Sequence, residues 1–100
     1  MRRDVAADLL AEVRRLRIRV IGLSPAAFGS GARDHVRGAL TAISDLAAAG
    51  RPVPDLGDRV LADQLVVLLT DCLPEYGADP VVTERALTIA TDLRRDLAEY

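Results

Sequence analysis

Apolar residues recur at three- and four-residue intervals along most of the chain. That is the spacing of one helix face, and clusters of Pro, Gly and Ser divide the pattern into four stretches. The most apolar runs from Asp58 to Leu73, DRVLADQLVVLLTDCL. Leu61, Leu65, Leu68 and Cys72 mark one face of it. Val60, Val67 and Leu73 widen that face, and Val66 and Leu69 carry it nearly round the cylinder. A surface helix needs an apolar stripe of only a little over about 100°. This helix is therefore central, or covered by a partner. It is too long for a strand. Asp55 can accept from the N–H of Gly57 or Asp58, and Asp58 suits the positive end of the helix dipole. Pro74 and Gly77 mark its end.

The remaining stretches read in the same way. Residues 2–20 form a first helix with Val5, Leu9, Val13, Leu16 and Val20 inward, acids at its start and Arg toward its end. Glu12 can meet Arg15 one turn on. Leu16 to Val20 also alternates apolar with Arg, a strand pattern, but nothing else in the chain could pair with it. In GLSPAAFGSG, 22–31, Ser24 and Pro25 cap and open a single helical turn reaching Phe28, which plugs one end of the bundle. Residues 32–49 form a second helix with Ser30 as N-cap, Gly50 as stop, Val36, Leu40, Ile43 and Ala47 buried, and Ala39 and Leu46 beside them. The linker GRPVPD is extended by its prolines. Asp79 and Pro80 cap and open a fourth helix, 80–98, with Val82, Ala86, Ile89, Leu93 and Leu97 inward. The expected fold is one all-α domain, 1–100: a four-helix antiparallel bundle with a short extra turn between helices 1 and 2. An orthogonal, death-like packing of the same helices is the alternative.

Composition supports this and narrows the chemistry. Half the residues are apolar, and they are mainly Ala, Leu and Val, a helix-bundle vocabulary. All thirteen cations are Arg, with no Lys and no Asn, the mark of a GC-rich genome. Residues 1–50 hold eight Arg against five acids, net +3; residues 51–100 hold five Arg against ten acids, net −5. The two halves should attract, within one chain or between chains. A single Cys and the lack of a glycosylation site point to a reducing cytoplasm. Arg2 and Arg3 lead into Asp4 and Asp8, not into a signal-peptide core. The longest strictly apolar run, Leu65 to Leu69, is far short of the ~20 residues that span a bilayer.

No catalytic set emerges. His35 and Cys72 are single, so the usual zinc sets cannot assemble within one chain, and no Glu-x-x-His pair exists for a di-iron bundle. His35 reads as a rim residue and Cys72 as core. The carboxylate pairs Asp4/Asp8 and Asp92/Asp96 share helix faces and do not span a cleft. Gly29-Ser30-Gly31 lacks the third Gly and the preceding strand of a dinucleotide loop. A helix-turn-helix is excluded by the long GRPVPD connection and by the acidic helix after it. Neither a cofactor nor an enzyme activity is expected.

What stands out is surplus apolar surface. Leu10, Ile18 and Ile21 lie off the inward stripe of the first helix, among Arg14 and Arg17, and Val66 and Leu69 lie at or beyond the stripe of the third. These seven residues are the expected partner interface. The expected function is a small cytosolic protein–protein interaction module that forms a homodimer or docks another protein's helix. Two other readings stand beside it. One is a nucleic-acid-associated regulator using the Arg-rich segment Arg14, Arg15, Arg17 and Arg19, though no aromatics interleave to stack bases. The other is a small-molecule binder or enzyme with a pocket between helices. In helix count and length the chain looks like many small helical proteins of bacteria, death-like adaptor domains included. No motif ties it to any of them.

Overall fold

The computed structural model describes residues 4–47 and 51–100. Four helices carry the fold: α1 (Val5–Ile21), α2 (Arg33–Ala47), α3 (Leu61–Thr70) and α4 (Pro80–Leu97). The described residues contain no strand. Leu16 to Val20 is helical, with Leu16 and Val20 both buried against the other helices.

Local chemistry sets the helix ends. The Ala7 N–H donates to Asp4 Oδ1 at 3.1 Å, so α1 starts at Val5, the first residue of its apolar face, rather than at residue 2. Ser24 caps the short turn Pro25–Ala27, accepting from the Ala27 N–H at 3.0 Å. Ser30 does not cap α2. The turn widens through Phe28–Ala32 instead, with Gly31 at φ 127°, and α2 begins at Arg33. The Gly50 stop lies outside the described residues. Asp55 does accept from the Gly57 N–H, at 3.1 Å, and a 3₁₀ turn, Asp58–Val60, leads into α3. That helix ends at Thr70, before Leu73, because Pro74 has no N–H and forces Leu73 into extended backbone at ψ 146°. Cys72 and Leu73 close the end with tighter bonds to the Leu69 and Thr70 carbonyls. Asp79 caps α4 through the Val81 N–H at 2.8 Å, with Pro80 in the first turn.

The molecule is a small helical bundle. α1 and α2 each pack on both α3 and α4, whereas the chain neighbours α1–α2 and α3–α4 barely touch. The order round the bundle is thus α1, α4, α2, α3. The Cα envelope measures 41 × 31 × 16 Å. Its short dimension is that of two helix layers, roughly 10 Å between axes plus the backbone radius on each side. Leu9, Leu16, Leu40, Ile43, Leu61, Leu65, Leu69 and Leu97 are fully buried between the layers. Each contributes on the order of 1.5–3 kcal/mol by leaving water. Phe28 closes the core beneath the wide turn.

The buried faces of α2, α3 and α4 differ from the apolar pattern, and on α4 Thr83, Leu87 and Ala90 are buried while Val82 and Ile89 are half-buried. α3 buries Leu61, Ala62, Leu65 and Leu69, while Leu68 is half-buried and Val67 exposed. α2 buries Ser44, whose hydroxyl donates to the Arg51 carbonyl at 2.6 Å, and leaves Ala47 exposed.

Candidate interaction surface

The outer side of α1 is built by helical periodicity. Leu10, Arg14, Arg17, Ile18 and Ile21 follow i, i+4, i+7, i+8 and i+11, which puts them on one side of the cylinder. The inward side is taken by Leu9, Val13, Leu16 and Val20. Leu10 is 39% exposed, Ile18 71% and Ile21 59%. Arg14 and Arg17 are exposed too, with no ion-pair partner among the described residues. The other two arginines of the cluster are used by the fold. Arg15 Nη1 donates to Glu12 Oε1 at 3.2 Å, and Arg19 Nη2 donates to the Leu97 carbonyl at 2.7 Å, capping the last turn of α4. An Arg strip for nucleic acid is thereby halved.

The α3 members of the expected interface do not join this stripe. Leu69 is fully buried and belongs to the core, a correction to its expected place in an interface. α3 is rotated so that Leu69, not Leu68, completes the inward face. Val66 is half-buried and packs on the core edge. The exposed apolar residue of α3 is its neighbour Val67, at 59%.

Val67 belongs to a surface that the helical pattern does not reveal. The extended segment 51–57 lies across α2 and α3, and its carbonyls are held by side chains. Ser44 donates to Arg51 O, Arg37 Nη2 to Val53 O at 3.2 Å, and Gln64 Nε2 to Pro54 O at 3.0 Å. Its far end is fixed by Arg33, whose Nε and Nη2 both donate to the Asp58 carboxylate at 2.7 Å. That pairing holds Asp58 below its ordinary range and raises Arg33. Between this strap and α3 runs an open groove of about 490 Å³. Pro52, Val53, Leu56, Val60, Val67 and Leu68 form its apolar walls, and Asp63, Asp71 and Arg51 also line it. The prolines were a signal for it. A segment with few N–H groups cannot pair as secondary structure, so its carbonyls need side-chain donors.

The attraction between the basic and acidic halves operates within the chain at two places, Arg33–Asp58 and Arg37–Asp55 at 3.7 Å, and His35 Nδ1 lies 3.6 Å from Asp96 Oδ2. The strongest cross-helix pair runs the other way. Glu12, on α1, is buried, and its carboxylate accepts from Arg94 Nε at 2.8 Å and Nη2 at 2.7 Å. The Arg94 hydrogen bonds hold Glu12 below the usual glutamate range against the opposing effect of burial, and they raise Arg94.

The single His and Cys sit apart. His35 is exposed at the rim, its ring tilted 60° to that of Tyr100 with centroids 6.1 Å apart. Cys72 is fully buried, its thiol donates to the Leu68 carbonyl at 3.4 Å, and burial pushes it up from its ordinary value, helped by Asp71. Among the described residues no three His, Cys, Asp or Glu side chains come together as a metal cage, and no helix is long and apolar enough to cross a membrane. Comparison with family models, with curated proteins and with solved structures gave no match.

Proposed function

We propose that the protein is a cytoplasmic protein–protein interaction module that self-associates through the outer stripe of α1. The observation that carries this reading is the stripe itself. Leu10, Ile18 and Ile21 are exposed on one side of one helix, and the core beneath them is already complete. Exposed apolar side chains aligned on one helix face, with a complete core behind them, are what a partner surface would cover. Arg14 and Arg17 lie within it without a partner among the described residues, so the stripe also carries a charge for the contact to satisfy. Leu10, Ile18 and Ile21 at i, i+8 and i+11 return to the same side of the helix, the side a helix lays into a groove. Buried, unpaired Cys72 fits a reducing compartment.

The test is mass in solution, by light scattering after gel filtration, across protein concentration and at low and high salt. A wild-type dimer is expected, held mainly by apolar contact and so only partly weakened by salt. Ile18→Asp, at an exposed site, should keep the helical circular-dichroism signal and run as a monomer. A wild-type protein that stays monomeric up to its solubility limit refutes self-association.

A further inference from the structure

The stripe on α1 needs a receiving surface, and the molecule carries one that matches it in length and charge. Resting on the self-association reading, we propose that the α1 stripe of one copy docks into the strap–α3 groove of a second copy. From Leu10 to Ile21 is eleven residue steps of helix, roughly 16 Å. The groove's lining on α3 runs from Val60 to Asp71, again eleven steps and roughly 16 Å. Leu56 and Val67 on its walls are 62% and 59% exposed, apolar partners for Ile18 and Ile21.

Charge selects this pairing over the symmetric one. No acid shares the outer side of α1, so stripe against stripe would bring Arg14 and Arg17 of both copies together without a counter-charge. The groove offers Asp63 and Asp71 against the single guanidinium of Arg51, a net negative rim for a doubly positive stripe. Both carboxylates are on exposed residues, and neither forms an ion pair among the described residues. The same complementarity appears at larger scale as the +3 and −5 halves of the chain. The contact joins two unlike surfaces, so it closes as a dimer where each copy both gives a stripe and receives one, and otherwise propagates from copy to copy.

Two exposed substitutions separate the surfaces. Ile18→Asp places an acid on the stripe, facing the acidic rim; Val67→Arg places a cation in the groove, facing the basic stripe. Each alone should weaken self-association by at least about tenfold, the effect of losing an apolar anchor at a contact. An equimolar mixture should assemble again. There the intact stripe of the Val67→Arg chain meets the intact groove of the Ile18→Asp chain, and the two altered surfaces attract. Sedimentation velocity on each variant and on the mixture reads this directly, with circular dichroism checking the fold. If Val67→Arg assembles like wild type while Ile18→Asp does not, the groove is not the receptor: the proposal is overturned and self-association through the stripe stands. If both variants are monomeric and mixing restores nothing, the pairing of stripe with groove is likewise overturned. If the wild-type protein is itself monomeric, both readings fall.

Discussion

Replacing Glu12 by alanine removes the acceptor that ties α1 to α4. The carboxylate takes two hydrogen bonds from Arg94 and one from Arg15, at 2.7, 2.8 and 3.2 Å, from a side chain only 6% exposed. Breaking a fully buried pair costs about 3–5 kcal/mol, because the surviving charge is stranded. Here the survivors are 42% and 57% exposed and re-enter water, so the loss shrinks toward that of a hydrogen bond to a charged group, about 2 kcal/mol. For a domain of this size that lowers Tm by roughly 10 °C. Urea melts of wild type, Glu12→Ala, Arg94→Ala and the double variant close a cycle, and the coupling should reach about 1 kcal/mol. The pair also sets an acid limit. The folded pKa of Glu12 lies below its ordinary 4.5, so its contribution is complete above that value and is lost as pH falls through the lower folded one. Glu12→Gln should remove this part of the acid destabilisation. Single-variant losses that add within about 0.3 kcal/mol, or an unchanged acid slope in Glu12→Gln, would refute the reasoning.

Other sites give sharper local tests. Thr83→Val keeps the shape but removes the hydroxyl that donates to the Cys72 carbonyl at 2.7 Å inside the core, and should cost about 1–2 kcal/mol in a urea melt. Leu69→Ala should cost about 2–5 kcal/mol and Val67→Ala under about 0.5, and the reverse order would put α3 in the wrong rotation. Gly31→Ala should destabilise by about 1–3 kcal/mol, because φ is 127° and the new Cβ would lie 2.7 Å from the Tyr100 hydroxyl oxygen. Adding Tyr100→Phe should recover the contact part of that loss and leave the backbone part, as read from Tm.

The local marks of the fold were readable before any tertiary structure. Ser24-Pro25, Asp79-Pro80, Asp55 ahead of Gly57 and the Glu12–Arg15 pair all act within four residues, so neighbours in sequence suffice to specify them. Ser30 failed as a cap because Gly31 takes a positive φ and opens a wider turn, a backbone freedom that residue type permits but does not demand. The outer stripe of α1 was readable in the same way. A helix with one clear inward face leaves its remaining apolar residues outside, and Leu10, Ile18 and Ile21 are exposed as that logic requires.

The third helix marks where the sequence stops being sufficient. Apolar residues surround most of α3, so several rotations would bury a similar area, and its own residues cannot choose among them. Packing against α1 and α2 chose the one that buries Leu69 and exposes Val67. The charged partners likewise depended on the folded arrangement: Glu12 and Arg94 are 82 residues apart, and only the packing of α1 on α4 makes them neighbours. The groove exists because Arg37, Ser44 and Gln64, from two helices, hold the carbonyls of a proline-rich strap. Short-range periodicity and capping thus determined the helices, the caps at Asp55, Ser24 and Asp79, and the surplus on α1. Helix rotation, long-range ion pairs and the groove were decided by tertiary structure, because each depends on groups that sequence distance keeps apart until the chain has packed.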